Sequence, residues 1–249
     1  MTQQFYVSPE QLMKDRADFA RKGIGRGRSV VVMSCRDGIA LVAENPSPSL
    51  HKLGEIYDRI AFAAVGKYNE FESLRQAGVR YADVRGYSYA RQDVTARGLA
   101  SVYAQSLGAV FTAESKPFEV ELVVAEVGRN QDADHLYRLT FDGSIADETG
   151  FVVMGGAADT VIGALSGSFS AGLALPEAVR AAATALRSDA GTSSSTADGE
   201  RPAPLDPSLL EVAYLERDPD TLRGSRRAFR RIGGPELETI LQQPGKEDT

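Results

Sequence analysis

The sequence is short of the residues that build most reactive centres. Its single cysteine, Cys35, excludes an internal disulfide framework and a thiolate-rich zinc site. Two histidines, His51 and His135, leave almost no material for an imidazole-based metal centre, and no cofactor is expected. No apolar run approaches the ~18 residues that a membrane-spanning helix needs, and the N-terminus lacks the apolar core of a secretory signal. The expected location is therefore the cytoplasm, with no membrane partner. Basic charge is also in deficit: 28 Lys+Arg against 34 Asp+Glu give a net charge of −6, which speaks against nonspecific binding to nucleic acid.

What is present is ordinary globular material. At 249 residues, with 43% hydrophobic and 25% charged, the chain suits one large domain and excludes general disorder. Ser8-Pro9-Glu10-Gln11 reads as a helix start, with Ser8 as N-cap and Pro9 in the first helical position. That helix runs to about residue 22, its imperfect apolar stripe being Leu12, Arg16 and Phe19, and Gly23, Gly25 and Gly27 break it. Strands over 29–34 and 39–43 flank Arg36-Asp37-Gly38, a strong hairpin signal. A second strand pair follows at 50–56 and 60–65, then helices at 67–77 and 93–114, the latter with Asp93 as N-cap. Ala96, Ala100, Ala104 and Gly108 make a stripe of small residues along the second helix, against which another helix can pack closely. Strands at 120–127, 136–141 and 151–154 precede helices at 159–170 and 176–187. A Ser/Gly/Pro-rich loop at 189–206, strands at 209–216 and 227–232, and a helix at 235–242 complete the chain. Paired strands alternating with paired helices suit stacked sheets with helices outside them better than βαβ winding.

No pattern in this reading amounts to an active site. Gly155-Gly156 before a helix lacks the spacing of a phosphate loop and reads as a tight turn where backbone passes backbone. Cys35 has no local base and reads as an inert cysteine. Arg223, Arg226, Arg227, Arg230 and Arg231 read as a solvated face or as ion-pair partners. Arg21, Lys22, Arg26 and Arg28 around the glycines are a conceivable seat for an anionic chain end. Were Met1 removed, Thr2 could serve as an N-terminal nucleophile with its own amine as base, but a flexible tether does not hold attack geometry.

Several blocks together are similar to the α-subunits of the actinobacterial 20S proteasome. They include Phe19-Ala20-Arg21-Lys22-Gly23, Ala43-Glu44-Asn45-Pro46-Ser47, Glu55-Ile56-Tyr57-Asp58-Arg59-Ile60, Gly66-Lys67-Tyr68-Asn69-Glu70-Phe71 and Arg227-Ala228-Phe229-Arg230-Arg231-Ile232. The likeness spans residues 5 to about 242. It implies a four-layer αββα sandwich of the N-terminal-nucleophile hydrolase type, with an extra N-terminal helix. It implies a noncatalytic subunit of seven-membered outer rings, which gate substrate access to catalytic β-rings and dock ring-shaped activators. The partners implied are ring neighbours of the same chain, the β-subunit, a ring-shaped ATPase or other activator through its C-terminal tail, and unfolded polypeptide in transit. The nucleophilic threonine of the β relative corresponds to a place near Arg28-Ser29, where every amine is locked in a peptide bond. Glu44 and Lys52 stand where that relative keeps its catalytic acid and lysine. Lys52 instead matches the lysine of the activator-docking pocket, and Gly27 the pocket glycine. Thr2, Gln3, Gln4, Phe5, Tyr6, Val7, Ser8 and Pro9 correspond to the gate, with Phe19 in the place of a gate-supporting tyrosine. The implied organisation is a flexible gate segment at 1–7, a single αββα domain at 8–243 and a disordered tail at 244–249.

Overall fold

The computed structural model describes residues 8–187, 206–218 and 227–242. The 1–7 segment, nearly all of the 189–206 loop, Arg223, Arg226 and the 244–249 tail lie outside the described residues.

Two five-stranded antiparallel sheets form the centre. The first joins β1 (Val30–Cys35), β2 (Gly38–Glu44), β8 (Phe151–Met154), β9 (Leu210–Glu216) and β10 (Phe229–Ile232) in the order β10-β9-β2-β1-β8. The second joins β3 (Leu53–Tyr57), β4 (Ile60–Gly66), β5 (Val120–Glu126), β6 (His135–Leu139) and β7 (Ile145–Glu148) in chain order. Every residue of β1 and β2 is buried, because both faces of their sheet are covered. Side-chain alternation then sorts them. Val30, Val32, Ile39 and Leu41 meet Ala61, Ala63, Val123 and Ala125 of the second sheet in an inner layer. Val31, Met33, Ala40 and Val42 face outward onto α4 (Ala158–Ser166), α5 (Leu175–Leu186) and α6 (Gly234–Gln242). On the far side, Phe62, Leu122, Val124 and Leu139 pack under α2 (Tyr68–Ser88) and α3 (Ala96–Ala113). The result is a helix–sheet–sheet–helix stack, as the element order and the resemblance both imply.

Four local expectations are corrected. The helix expected at 67–77 continues to Ser88, because its glycines and alanines form a packing groove instead of a break. A Cβ on Gly78 would collide with the Tyr103 hydroxyl, and one on Gly86 with that of Tyr57. The helix expected from Asp93 starts at Ala96, its cap two residues beyond the expected one, with the Thr95 hydroxyl accepting the Gly98 N–H at 3.2 Å. Strand β7 went unread because its side chains are exposed or half-exposed and show no apolar alternation. The groove at Ala104 and Gly108 receives the turn at Gly143, whose φ of +86° suits glycine.

The N-terminal helix α1 (Pro9–Ile24) closes one end of the inner layer. The Ser8 hydroxyl accepts the Gln11 N–H at 3.2 Å, and Pro9 occupies the first turn as its fixed φ allows. Its inward face is Ala20 and Ile24, both part of the inner core. Leu12 and Phe19, the expected apolar stripe, point outward at 42% and 47% exposure. Arg16 does turn inward, and its Nη1 donates to the Phe111 carbonyl at the end of α3, at 2.6 Å.

Candidate docking and gating site

Helix α1 delivers the chain to the first strand through Gly25-Arg26-Gly27-Arg28-Ser29, which runs against two other segments. The Gly156 N–H donates to the Gly27 carbonyl at 3.1 Å, and a Cβ on Gly156 would collide with the Gly25 carbonyl. Gly155-Gly156 is thus a close backbone crossing, which is the reading its sequence favoured. Gly27 has an internal reason to be glycine: a Cβ there would strike Val65 Cγ1 and lie 3.0 Å from the Ile24 carbonyl.

Ser29 is fully buried, and its nitrogen is bonded to the Arg28 carbonyl carbon, so no free amine exists at the head of β1. Around that peptide bond the structure gathers the two residues singled out for their match to a catalytic acid and lysine. The Glu44 carboxylate, with its side chain 3% exposed, is ion-paired to the Arg28 guanidinium. Lys52 Nζ donates to the Arg28 carbonyl at 2.7 Å. The lysine therefore sits at the seam between α1 and the sandwich, beside Gly27 and the exposed Arg26. Pairing with Arg28 engages the Glu44 carboxylate within the chain.

Sequence reading missed the residues beneath Lys52. Glu211, in β9, reaches from the first sheet to the start of the second. Its carboxylate accepts the backbone N–H groups of Lys52 at 2.8 Å and Leu53 at 3.3 Å, and the Asn45 amide at 2.8 Å. Arg231 Nη1 donates to it at 2.6 Å, and His51 Nδ1 lies 3.2 Å away. This hub opens on a cleft of about 300 Å³ lined by Asn45, Pro48, His51, Arg231 and Gly233 among others. The available signal was an acid inside the otherwise apolar run Leu210-Glu211-Val212.

The remaining candidates divide plainly. Ser8 and Pro9 form the first turn of α1, while Thr2, Gln3, Gln4, Phe5, Tyr6 and Val7 lie outside the described residues. Phe19 lies under Lys116, whose Nζ is 5.7 Å from the ring centroid. Cys35 is fully buried, and burial pushes its thiol up from 9.0 to about 11, the wrong direction for a nucleophile. Arg227, Arg230 and Arg231 are paired within the chain, to Glu55, Glu236 and Glu211. Among the described residues no cluster of acid, histidine or cysteine side chains has the makings of a metal site, and no helix is long and apolar enough to cross a membrane.

A family profile described as "Proteasome subunit" matches residues 24–199. The chain belongs to the proteasome subunit family. Within it, the similarity is to α-type members. A protein of Arthrobacter sp. (strain FB24) named proteasome subunit alpha is 71% identical over 243 residues, covering 98% of this chain and 99% of its own. Those of Renibacterium salmoninarum and Kineococcus radiotolerans, which bear the same name, are 69% and 62% identical over 245 residues. Each alignment covers 98% of this chain, with 98% and 100% of the respective relative. The family match begins at Ile24 and ends at residue 199, so it takes in β1 to β8 with α2 to α5 and leaves most of α1, together with β9, β10 and α6, outside.

Proposed function

We propose that this α-type proteasome subunit forms the outer rings of a protein-degrading core particle, gates substrate passage and docks an activator. Catalysis is not among its roles: the amine at the head of β1 is spent in a peptide bond, and the neighbouring carboxylate is paired with Arg28. Its partners in this reading are further copies of itself, the β-subunit that carries the active sites, and unfolded polypeptide in transit. Residues 2–9 act as the gate, with Ser8 and Pro9 fixing the first turn of α1 beneath it.

The observation that carries the docking role is the position of Lys52. Its ammonium stands at the α1 seam, 2.7 Å from a main-chain carbonyl and beside Gly27. A cation held against a main-chain carbonyl is suited to a terminal carboxylate, and partial desolvation strengthens the pair. The C-terminal tail of a ring-shaped ATPase offers that carboxylate.

Removing Thr2 to Ser8 tests the gate. The αβ particle carrying the deletion is expected to hydrolyse a small fluorogenic peptide several-fold faster, with unchanged particle mass. Unchanged turnover would sink the assignment.

A further inference from the structure

Lys52 is held by its backbone as well as by its head. Glu211 accepts the N–H of Lys52 and that of Leu53, at 2.8 and 3.3 Å. Arg231, bound to the same carboxylate, turns its Nη2 to the Leu53 carbonyl at 2.7 Å. Asn45 donates to Glu211 at 2.8 Å and to the Leu50 carbonyl at 2.6 Å. Main-chain groups of Leu50, Lys52 and Leu53 are thereby fixed by one buried carboxylate and its two satellites. The carboxylate side chain is 8% exposed and its bonds are charge-assisted, the stronger kind and the costlier to leave unmade.

We propose that Glu211 is a positioning residue for anion recognition at Lys52. It immobilises the main chain over 50–53, so that the ammonium projects toward the Arg28 carbonyl and meets an incoming peptide carboxylate without first being ordered. A fixed root removes main-chain disorder from what binding must bring to order. This rests on the reading of Lys52 as the docking lysine.

The test is a double-mutant cycle in the assembled αβ particle. The probe is a fluorescein-labelled octapeptide carrying the ATPase's C-terminal sequence, as free acid and as C-terminal amide, read by anisotropy. Glu211→Ala and Lys52→Ala are each expected to weaken the free acid about tenfold. Both are expected to leave the amide nearly unchanged. The double variant is expected to be no weaker than Lys52→Ala alone. Where Glu211→Ala does not assemble, Asn45→Ala serves, with an expected loss of about threefold and the same dependence on Lys52. Full free-acid affinity in Glu211→Ala, or losses that multiply in the double variant, would overturn the positioning role while leaving Lys52 in place. A silent Lys52→Ala would overturn the docking reading and this inference together.

Discussion

Strand β9 carries an ionic clamp at each end, and only one of them is closed. Just past its end, Arg217 meets Asp134 with both guanidinium nitrogens, at 2.7 and 2.8 Å, the two side chains being 10% and 2% exposed. The same guanidinium donates to the carbonyls of Cys35, Arg36 and Gly128, at 2.9, 3.0 and 3.1 Å. Ser34 Oγ donates to Asp134 at 2.5 Å, and the Gly128 N–H at 2.9 Å. Cys35 belongs to one sheet, while Asp134 and Gly128 lie between two strands of the other, so this clamp ties the sandwich together. At the start of β9 the Glu211 carboxylate is also enclosed, at 8%, but its side-chain partners are more open: Arg231 is 41% exposed and His51 47%. The closed clamp presents nothing to a partner. The open one holds the backbone N–H of Lys52, the lysine proposed above to meet an activator's carboxylate. Similar chemistry thus sits sealed at one end and solvent-facing at the other, and the difference lies in which partners water can reach.

The closed clamp is where the largest loss is expected. Arg217→Ala removes all the guanidinium's donors at once and leaves the buried Asp134 held by neutral groups, Ser34 Oγ and the Gly128 N–H; breaking one partner of a buried pair typically costs ~3–5 kcal/mol. Urea unfolding of the purified chain is the measurement. A loss below about 1 kcal/mol, the scale of an exposed pair, would abolish the distinction between the two ends.

A second probe sits against the closed clamp. Cys35, whose carbonyl Arg217 binds, has its thiol pushed up to about 11 by burial. The folded state therefore holds that proton more tightly than the unfolded chain, whose thiol keeps its ordinary value. The corresponding stability is fully present below pH 9 and is lost as pH rises through 11, on the order of a few kcal/mol. Urea midpoints at pH 8 and pH 11 are expected to separate further for the native chain than for Cys35→Ala. Tyr103, also raised by burial, contributes alike to both proteins, whereas Tyr214 is raised by burial and in part by Cys35, so a share of the separation belongs to the Cys35–Tyr214 pair. An equal fall in the two would mean that water reaches the thiol, and that this end is not closed.

The two ends were unequally legible before the structure, and so was the rest of the fold. Strands β1 and β2 announce themselves through apolar runs about Asp37-Gly38, and α1 through Ser8-Pro9. Local chemistry dictates those. Helix α2 is legible only to Ala77 because the inward face beyond it, Gly78, Ala82 and Gly86, is small and makes no apolar stripe, although at both glycines a neighbour comes close. Which face of α1 turns inward was also misjudged. Ala20 and Ile24 fill the space between the sheets, whereas the larger Phe19 stays outside, a choice made by the available volume. Lys52 and Gly27 came into view through family likeness alone. Glu211 and Arg217 did not, because their partners are far away in sequence: Glu211 is 159 residues from Lys52, and Arg217 is 83 from Asp134. Long-range pairing of this kind leaves no periodic trace.

The smallest effect is expected at the open clamp, and it sharpens the comparison most. Arg231→Ala takes one cation from Glu211 but leaves the carboxylate its bonds from Asn45, Lys52 and Leu53. Because Arg231 is 41% exposed, water restores much of what is lost, and the expected destabilisation is about 1 kcal/mol or less. Its dependence on salt carries the argument. The Debye length falls from about 10 Å at 0.1 M to about 3 Å at 1 M, so the difference between native chain and variant should shrink toward zero over that range. The Arg217→Ala difference should persist, since a pair with 10% and 2% exposure is poorly screened. Parallel urea titrations at the two salt concentrations measure both. Should the Arg231→Ala difference survive 1 M salt undiminished, the Glu211 hub would be as closed as its counterpart, and its exposure to a docking partner would have no physical basis.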